Sequence, residues 1–392
     1  MSDPSQTILV VDDVPENRDL LVRRLQRLGF KRIDQAANGI EALAAISGRS
    51  YDLVLLDIMM PELDGFGVLE ALKRDGHIND LPVVVISALN EMEPVVRCIE
   101  LGADDFLFKP FNPILLRARV LATLEKKSLR DRTREELRRK QAELDEARIL
   151  QLSLVPQRFT GTVSGCSCSI EVMLEPAKEV GGDLVDHFAV GENLRVLIIG
   201  DVSEKGAASA LMMARTHAMF RGLASRPDAG DLFREPERAA GLVNAALAEG
   251  NPGCMFVTLV LASLDLATGR LAYVRAGHIP PYHRDGTGKV GRLNCLSGPP
   301  LGVDGTIHYQ ADENVLCPGD RLLVVTDGFT EAQDTDAAFY GDGRVADFVA
   351  GIVDGEIEPL GRLVDDVRAF ESGAEASDDM AAILVSLGHE RP

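Results

Sequence analysis

One segment restricts how this chain of 392 residues can be divided. Residues 114–155 contain neither glycine nor proline, and 16 of the 24 side chains from Glu125 to Arg148 are charged. A segment of this kind has no apolar core of its own and is typical of a long solvated helix. We therefore expect two domains, residues 1–121 and 157–392, joined by a helical linker at residues 122–156.

The composition argues against two classes of protein. Acidic side chains outnumber basic ones by 61 to 41, so the formal net charge is −20 and a nucleic-acid-binding surface is unexpected. No stretch approaches the ~18 consecutive apolar residues of a membrane span, and the first residues do not have the pattern of a secretory signal. The six cysteines include no CxxC pair and are typical of free thiols in a reducing compartment. We expect a cytoplasmic protein.

The first domain alternates short apolar runs with helical patterns. The runs contain no polar residue, which is typical of strands buried on both faces of a parallel sheet. They are Ile8–Val11, Leu53–Leu56, Val83–Ile86 and Phe106–Phe108. Because helical patterns separate them, the sequence predicts an α/β domain with a doubly wound parallel sheet.

Polar side chains stand where these runs end. They are Asp12, Asp13, Asp57, Ser87 and Lys109. Ligands of doubly wound sheets bind beyond the carboxyl ends of the strands, so these side chains should meet in one crevice. Three carboxylates repel one another unless a divalent cation neutralises them, and hard oxygen ligands favour Mg²⁺. Asp57 would be the nucleophile that forms an acyl phosphate, with the lysine and the serine on the phosphoryl oxygens.

Residues 7–121 resemble a response-regulator receiver domain. The resemblance rests on the stretches at 8–13, 52–65, 85–88 and 102–110. It implies a five-stranded sheet and phosphorylation of Asp57 by a sensor histidine kinase or another phosphodonor. It also implies that Asp13, Asp57 and the Met59 carbonyl hold Mg²⁺, assisted by Asp12.

The same resemblance assigns three further positions. Ser87 stands where the family has serine or threonine, and Phe106 stands where it has an aromatic switch residue. The bond between Lys109 and Pro110 matches a cis peptide of the family, a form tolerated mainly before proline.

The second domain differs in composition and pattern: it has many glycines, and helical patterns lie at 207–223 and 237–249. Its apolar runs and hairpin signals predict an α+β domain with mostly antiparallel strands. Asp183, Asp201 and Asp327 each stand next to a glycine at the end of such a run, and Asp378 precedes the last run. One Asp-Gly pair is explained by turn formation. Four such carboxylates brought together would make a two-metal centre that acts on a phosphoryl group.

Residues from about 150 to 388 resemble the bacterial branch of the metal-dependent type 2C serine/threonine phosphatases. The resemblance is strongest to the sporulation and stress-response enzymes that act on phosphorylated anti-anti-sigma proteins. It rests on the stretches at 151–156, 180–186, 200–206, 276–281, 300–302, 318–320, 325–332 and 377–380. It implies a two-sheet β-sandwich flanked by helices, with the metals at one end.

The resemblance also implies the ligands of two Mn²⁺ or Mg²⁺ ions. Asp201 would bridge both ions, and Asp183 with the Val202 carbonyl would complete one set. Asp327 and Asp378 would complete the other, and Asp379 occupies the following position as a further candidate. The catalytic set is Asp183, Asp201, Asp327 and Asp378. A water activated by both ions would attack the phosphoserine phosphorus without a phosphoenzyme.

Some positions depart from the family pattern. Glu204 stands where a small residue is usual, Ala381 replaces a threonine, and Leu184-Val185 replace the commoner Phe-Tyr. None of these changes removes a metal ligand. The eukaryotic branch has a phosphate-binding arginine, for which this chain offers only Lys178, interpreted as a surface lysine. The spacing gives no general-acid role to His278.

The linker carries a thin apolar seam. Leu137 and Leu144 are one heptad apart, and Leu124, Leu129 and Ala147 add apolar positions. The pattern favours a short parallel coiled coil, and hence a homodimer, over a single charged helix.

A phosphorylation-controlled protein phosphatase is the interpretation that uses every motif. The alternative is a degenerate phosphatase domain that sequesters a sigma-factor regulator when phosphorylation allows. The complete aspartate set argues against it, because an unused carboxylate cluster is costly. A third interpretation, a phosphate sink with an inert appendage, conflicts with the linker, which is not Gly/Ser/Pro-rich. The direction of control and the choice between Mn²⁺ and Mg²⁺ stay open.

Overall fold

The structure is a computed structural model. It describes residues 5–87, 92–110, 112–163, 165–178, 180–251, 253–353, 355–356, 358–374 and 376–388, without the side chains of 92–95. Ala88, which closes one of the receiver-like stretches, and residues 1–4 lie outside the described residues. The chain divides into two compact units, Met1–Lys140 and Gln141–Pro392. No helix in the described ranges is long and apolar enough to cross a membrane.

The first unit alternates strands and helices. The strands are β1 (Thr7–Val11), β2 (Arg32–Ala36), β3 (Leu53–Asp57), β4 (Val83–Ser87) and β5 (Asp105–Phe108). The helices are α1 (Pro15–Arg27), α2 (Gly39–Gly48), α3 (Gly65–Arg74), α4 (Met92–Glu100) and α5 (Pro113–Leu152), with a short 3₁₀ turn at His77–Asn79. The sheet is parallel, in the order β2-β1-β3-β4-β5. This confirms the predicted doubly wound fold.

The three central strands explain why the apolar runs are unbroken. Every residue of β1, β3 and β4 is buried, because helices cover both faces of the sheet. Leu9 and Leu56 belong to the core on one face, and Ile8 and Leu55 to the core on the other. All strands run the same way, so their carboxyl ends lie at one edge of the sheet.

Helix α5 is continuous over 40 residues, which confirms the predicted long helix. Leu116, Val120 and Leu124 are buried in the core of the first unit. Beyond that point the apolar side chains turn outward, and Leu129 and Leu137 are 58% and 63% exposed. The helix ends at Leu152, four residues before the end of the linker predicted at 122–156.

The second unit contains eleven described strands. They are β6 (Phe159–Val163), β7 (Cys166–Glu175), β8 (Leu184–Val190), β9 (Leu194–Val202), β10 (Val257–Asp265), β11 (Arg270–Ala276), β12 (Tyr282–Arg284), β13 (Val290–Arg292), β14 (Asp312–Val315), β15 (Arg321–Val325) and β16 (Met380–Leu387). The helices are α6 (Ala207–Ala224), α7 (Ala229–Arg234), α8 (Pro236–Ala248), α9 (Asp327–Thr330), α10 (Gly341–Ala350) and α11 (Pro359–Glu371). The strands form two antiparallel sheets, β14-β11-β10-β9-β8 and β13-β12-β15-β16-β7-β6.

The two sheets pack face to face. Alternate residues of β9 and β16, such as Ile199 and Ile383, share one core between the sheets. The intervening residues, such as Ile198 and Leu384, pack under α6–α8 on one outer face and under α10–α11 on the other. This confirms the predicted β-sandwich flanked by helices.

Candidate functional site

The first unit gathers three carboxylates at the carboxyl edge of its sheet. Asp12 and Asp13 follow β1, and Asp57 ends β3. One oxygen of each lies within 4.8 Å of the other two. Asp12 and Asp57 are buried, and Asp13 is partly exposed, so a cation could reach the group from solvent. An all-oxygen set of this size and charge fits the receiver-type Mg²⁺ site that the sequence predicts.

Lys109 lies between two of these carboxylates. Its Nζ is 2.7 Å from an oxygen of Asp12 and 2.6 Å from an oxygen of Asp57. Burial raises the pKa of Asp57, and the hydrogen bond and charge of Lys109 offset part of that rise. Burial lowers the pKa of Lys109, but the two carboxylates more than compensate, so its pKa is raised and it stays a cation. The strand ends thus place a fixed positive charge beside the candidate nucleophile.

The remaining receiver positions surround this group. Ser87 is buried at the end of β4, and its carbonyl accepts a hydrogen bond from the Lys109 amide at 2.7 Å. Phe106 on β5 is partly buried, with its ring 5.3 Å from that of Phe108. Met59 makes a backbone hydrogen bond to the Asp57 carboxylate, and the role of its carbonyl as a ligand stays a prediction. The Lys109–Pro110 bond is cis, as the resemblance implies.

The second unit gathers carboxylates from both sheets. Asp183 directly precedes β8 and Asp201 lies in β9, while Asp327 opens α9 after β15 and Asp378 precedes β16. The hydroxyl of Thr326 joins the two sheets, because it donates a 2.7 Å hydrogen bond to Asp183. The four predicted catalytic aspartates therefore lie at the same end of the sandwich.

These carboxylates disfavour one another's charge. Burial and the charge of Asp201 hold the pKa of Asp183 well above its usual range. Burial, Asp327 and Asp378 raise the pKa of Asp201 to about 7. The pKa of Asp327 is also raised, first by burial and then by Glu331 and Asp378. A buried group of carboxylates without compensating cations is unfavourable, so this donor set fits divalent metal ions.

Asp379 has hydrogen-bond partners of its own. One of its oxygens accepts from the Ala177 amide and the other from the Gly182 amide, both at 2.8 Å. A β-carbon on Gly181 would lie 2.1 Å from an Asp379 oxygen, and one on Gly328 would lie 1.9 Å from its carbonyl. Gly181, two residues before Asp183, and Gly328, directly after Asp327, are thus required by close approach and do more than make turns.

The predicted metal ligands of this unit do not all lie within one short distance of one another. Within the part of the chain that the structure describes, the receiver triad is the one set of three candidate ligands within 4.8 Å. Asp378 instead forms an ion pair with Lys205, in which the lysine Nζ lies 2.8 Å from a carboxylate oxygen. The Val202 carbonyl lies against Gly182, since a β-carbon there would be 3.1 Å from it. Its predicted role beside Asp183 stays a prediction.

Gln151 was not singled out by the sequence. It is buried in the last turn of α5, where its amide oxygen accepts from the Gly181 N–H and its amide nitrogen donates to the Gly181 carbonyl, both at 3.0 Å. The helix end is therefore bonded to the backbone of the loop that carries Asp183. The stretch at 151–156 signalled a phosphatase-like start, but its spacing gives no hint of this contact.

His278 is a buried residue that forms hydrogen bonds next to two of the aspartates. Its ring lies 2.9 Å from the Thr258 hydroxyl and 3.1 Å from the Val325 carbonyl. Complete burial lowers its pKa to about 4, so the ring is neutral. Thr258 pairs with Asp201 in the first sheet, and Val325 ends the strand before Asp327 in the second. The imidazole thus links a cross-strand neighbour of Asp201 to the strand end before Asp327, which argues for a supporting role over general-acid chemistry.

Two family models match the chain. One, the response regulator receiver domain, matches residues 8–121. The other, stage II sporulation protein E (SpoIIE), matches residues 192–388, just over half of the chain. The chain belongs to the SpoIIE family. It is a response regulator receiver domain followed by a SpoIIE-type phosphatase domain of the type 2C class.

Individual relatives agree with this division. A probable transcriptional regulator, ycf27, of Cyanidium caldarium is 40% identical over 119 residues, 30% of this chain and 46% of that protein. Protein IcfG of Synechocystis sp. is 26% identical over 264 residues, 62% of this chain and 41% of that protein. The chain thus spans about half the length or less of these curated relatives. The SiaA-PP2C domain of Pseudomonas aeruginosa matches in fold, with a TM-score of 0.54, 19% identity, and 64% and 98% of the two chains covered.

Proposed function

We propose that this SpoIIE-family chain hydrolyses phosphoserine or phosphothreonine on a protein, under the control of phosphorylation at Asp57. One observation carries the proposal. Aspartates from both sheets meet at one end of the sandwich, where burial and mutual repulsion raise the pKa of Asp201 to about 7. An acidic group of this kind is unfavourable unless it binds cations, and two cations side by side are suited to phosphoryl chemistry.

The predicted ligands would form two sets, one for each metal ion. Asp201 would bridge two ions, with Asp183 and the Val202 carbonyl on one and Asp327 and Asp378 on the other. Bound Mn²⁺ or Mg²⁺ would supply an activated water and charge neutralisation for phosphoryl transfer. With both of its oxygens hydrogen-bonded to backbone amides, Asp379 is better suited to holding the Asp183 loop than to binding an ion.

The receiver would act as the input. An Asp57 oxygen would attack the phosphorus of a phosphodonor such as the phosphohistidine of a histidine kinase. The P–N bond of the donor would break, its imidazole would leave, and an acyl phosphate would form on Asp57. Asp12 and Asp13 would hold Mg²⁺ with Asp57, and Lys109 would neutralise charge on the phosphoryl group. Its Nζ is already 2.6 Å from the Asp57 carboxylate. Ser87 and Phe106 would respond to the new phosphoryl group.

Helix α5 is our candidate for transmission between the two sites. Its first turns are buried in the receiver core through Leu116 and Val120. Its last turn holds Gln151, bonded to the backbone two residues before Asp183. Leu137, Leu144 and Gln151 follow one another at heptad spacing. A change in the pairing of this helix in a parallel dimer would therefore reach the Asp183 loop, which is the kind of two-state element that coupling requires.

The substrate would be a phosphorylated anti-anti-sigma-type protein. This part of the proposal rests on the resemblance of the second unit to sporulation and stress-response phosphatases. The alternative, a degenerate domain that only sequesters such a regulator, keeps the same partner but needs no metal.

The test is substitution of the bridging residue in the full chain. Asp201→Asn should abolish Mn²⁺-dependent hydrolysis of p-nitrophenyl phosphate and of a phosphoserine protein, because both ions would lose their shared ligand. Asp231→Asn, on an exposed position of α7, is the matched control and should keep full activity. An Asp201→Asn variant with most of the activity would remove the two-metal assignment. An unaltered protein with no activity would favour the sequestering alternative.

A further inference from the structure

The end of the sandwich that gathers the aspartates also contains Lys205, to which the proposed function above gives no role. Lys205 follows the Asp201 loop and directs its ammonium back toward the carboxylates. Its Nζ lies 2.8 Å from an Asp378 oxygen and 2.6 Å from the Ser377 carbonyl. Burial lowers the pKa of Lys205, but the hydrogen bond and charge of Asp378 and the charges of Asp379 and Asp201 more than offset it, so the pKa is raised. The lysine therefore lies beside Asp378 and is influenced by the charges of two further carboxylates.

This ion pair is not a buried structural one. The side chains of Lys205 and Asp378 are 49% and 36% exposed. An exposed pair between flexible side chains contributes little to stability and can exchange. Lys205 also has a four-carbon stem and a compact charge, so it can move between partners at small cost. Lys178, the other lysine considered for phosphate, is exposed on the surface.

The pair occupies a carboxylate that the proposed metal centre needs. Asp378 cannot offer the same lone pairs to a metal ion and to Lys205. Within the described ranges the phosphatase aspartates do not form a closed set of three, and Asp378 is the one bonded to a lysine. If Asp378 were to bind a metal ion instead, the ammonium of Lys205 would be free to bind a substrate phosphoryl group near Asp201.

We propose that Lys205 is an exchangeable cation, which holds Asp378 in the metal-free site and binds the substrate phosphoryl group once Asp378 has turned to the metal. The inference rests on the proposed phosphatase function and adds the phosphate-binding residue to it. Lys205 would thus compete with the metal for Asp378 and cooperate with the metal in binding phosphate. No bond is made or broken other than the ion pair and the hydrogen bonds.

The test measures metal and phosphate binding separately from turnover. The full chain with Asp13→Asn serves as a common background, so that Mn²⁺ binding reports the phosphatase site. Titration calorimetry gives the Mn²⁺ affinity, and a second titration at saturating Mn²⁺ gives the affinity for inorganic phosphate. The variants are Lys205→Met, Lys205→Arg and, as a matched control, Lys289→Met on an exposed turn of the same unit.

The proposal predicts opposite changes in the two titrations. Lys205→Met should bind Mn²⁺ at least as tightly as the background protein and phosphate about 10- to 100-fold more weakly, the usual contribution of a hydrogen bond to a charged group. Lys205→Arg should recover much of the phosphate binding, and Lys289→Met should change neither affinity.

Two other results would overturn the proposed role of Lys205. Weaker Mn²⁺ binding with unchanged phosphate affinity would make Lys205 a clamp that orders Asp378. Two unchanged affinities would make the pair a surface contact only. Absence of Mn²⁺ binding in the background protein itself would overturn the proposed function, which is a separate result from the failure of Lys205.

Discussion

At the scale of single residues, the loop between β9 and α6 combines a departure from the family pattern with an unfavourable backbone conformation. Glu204 has a φ of 73°, in the left-handed region that a side chain makes costly. The family's small residue at this position is explained by that conformation. The next residue in this loop is Lys205, whose ammonium lies 2.8 Å from Asp378.

Replacing Glu204 should therefore stabilise the protein. Glu204→Gly should raise the free energy of unfolding by about 0.5–1 kcal/mol, because relief of the left-handed strain exceeds the added entropy of the unfolded chain. Glu249, at φ −70°, is the matched control, and Glu249→Gly should give no gain. Chemical denaturation of both variants measures the difference. A loss of stability in Glu204→Gly equal to that of the control would contradict the strain argument.

At the scale of elements, the sequence predicted most of the strands and the long helix. The buried central strands were clear because both faces are apolar, whereas β2 (Arg32–Ala36) was not recognised because this edge strand is mostly polar and only its last residue is buried. The contacts that complete the site were not predictable either. Asp379 reaches Gly182 across 197 positions of the chain, and Gln151 reaches Gly181 across 30. No local pattern encodes pairings of that range.

Two leucines of α5, the exposed Leu137 and the partly exposed Leu144, lead to a prediction at this scale. The double variant Leu137→Arg, Leu144→Arg should dimerise more weakly by light scattering, because charges at the proposed seam repel across a parallel dimer. Leu137 is 63% exposed in the single chain, so its replacement should not unfold the unit. Ala142→Arg, exposed on another face of the helix, is the control. If the double variant dimerises as well as the control, the coiled coil is excluded and α5 is a spacer.

At the scale of the whole molecule, one chain carries two acidic sites that use carboxylates differently. In the receiver, Lys109 lies within 2.7 Å of both Asp12 and Asp57 and neutralises part of the buried charge. In the phosphatase unit, Lys205 pairs with Asp378 while Asp183, Asp201 and Asp327 have raised pKa values. Both sites thus contain buried carboxylates with raised pKa values, and they differ in that the receiver lysine bonds two carboxylates whereas Lys205 pairs with one. We propose that phosphorylation of the first site controls the activity of the second.

That claim is tested most directly by measuring phosphatase activity as a function of receiver phosphorylation. The full chain is treated with acetyl phosphate, the fraction of phosphorylated Asp57 is measured by mass spectrometry, and Mn²⁺-dependent hydrolysis of a phosphoserine protein is followed in the same sample. We expect the rate to change several-fold in proportion to that fraction, in one direction, and to stay constant in Asp57→Ala under identical treatment. A rate that is the same for fully phosphorylated and unphosphorylated protein would contradict the account.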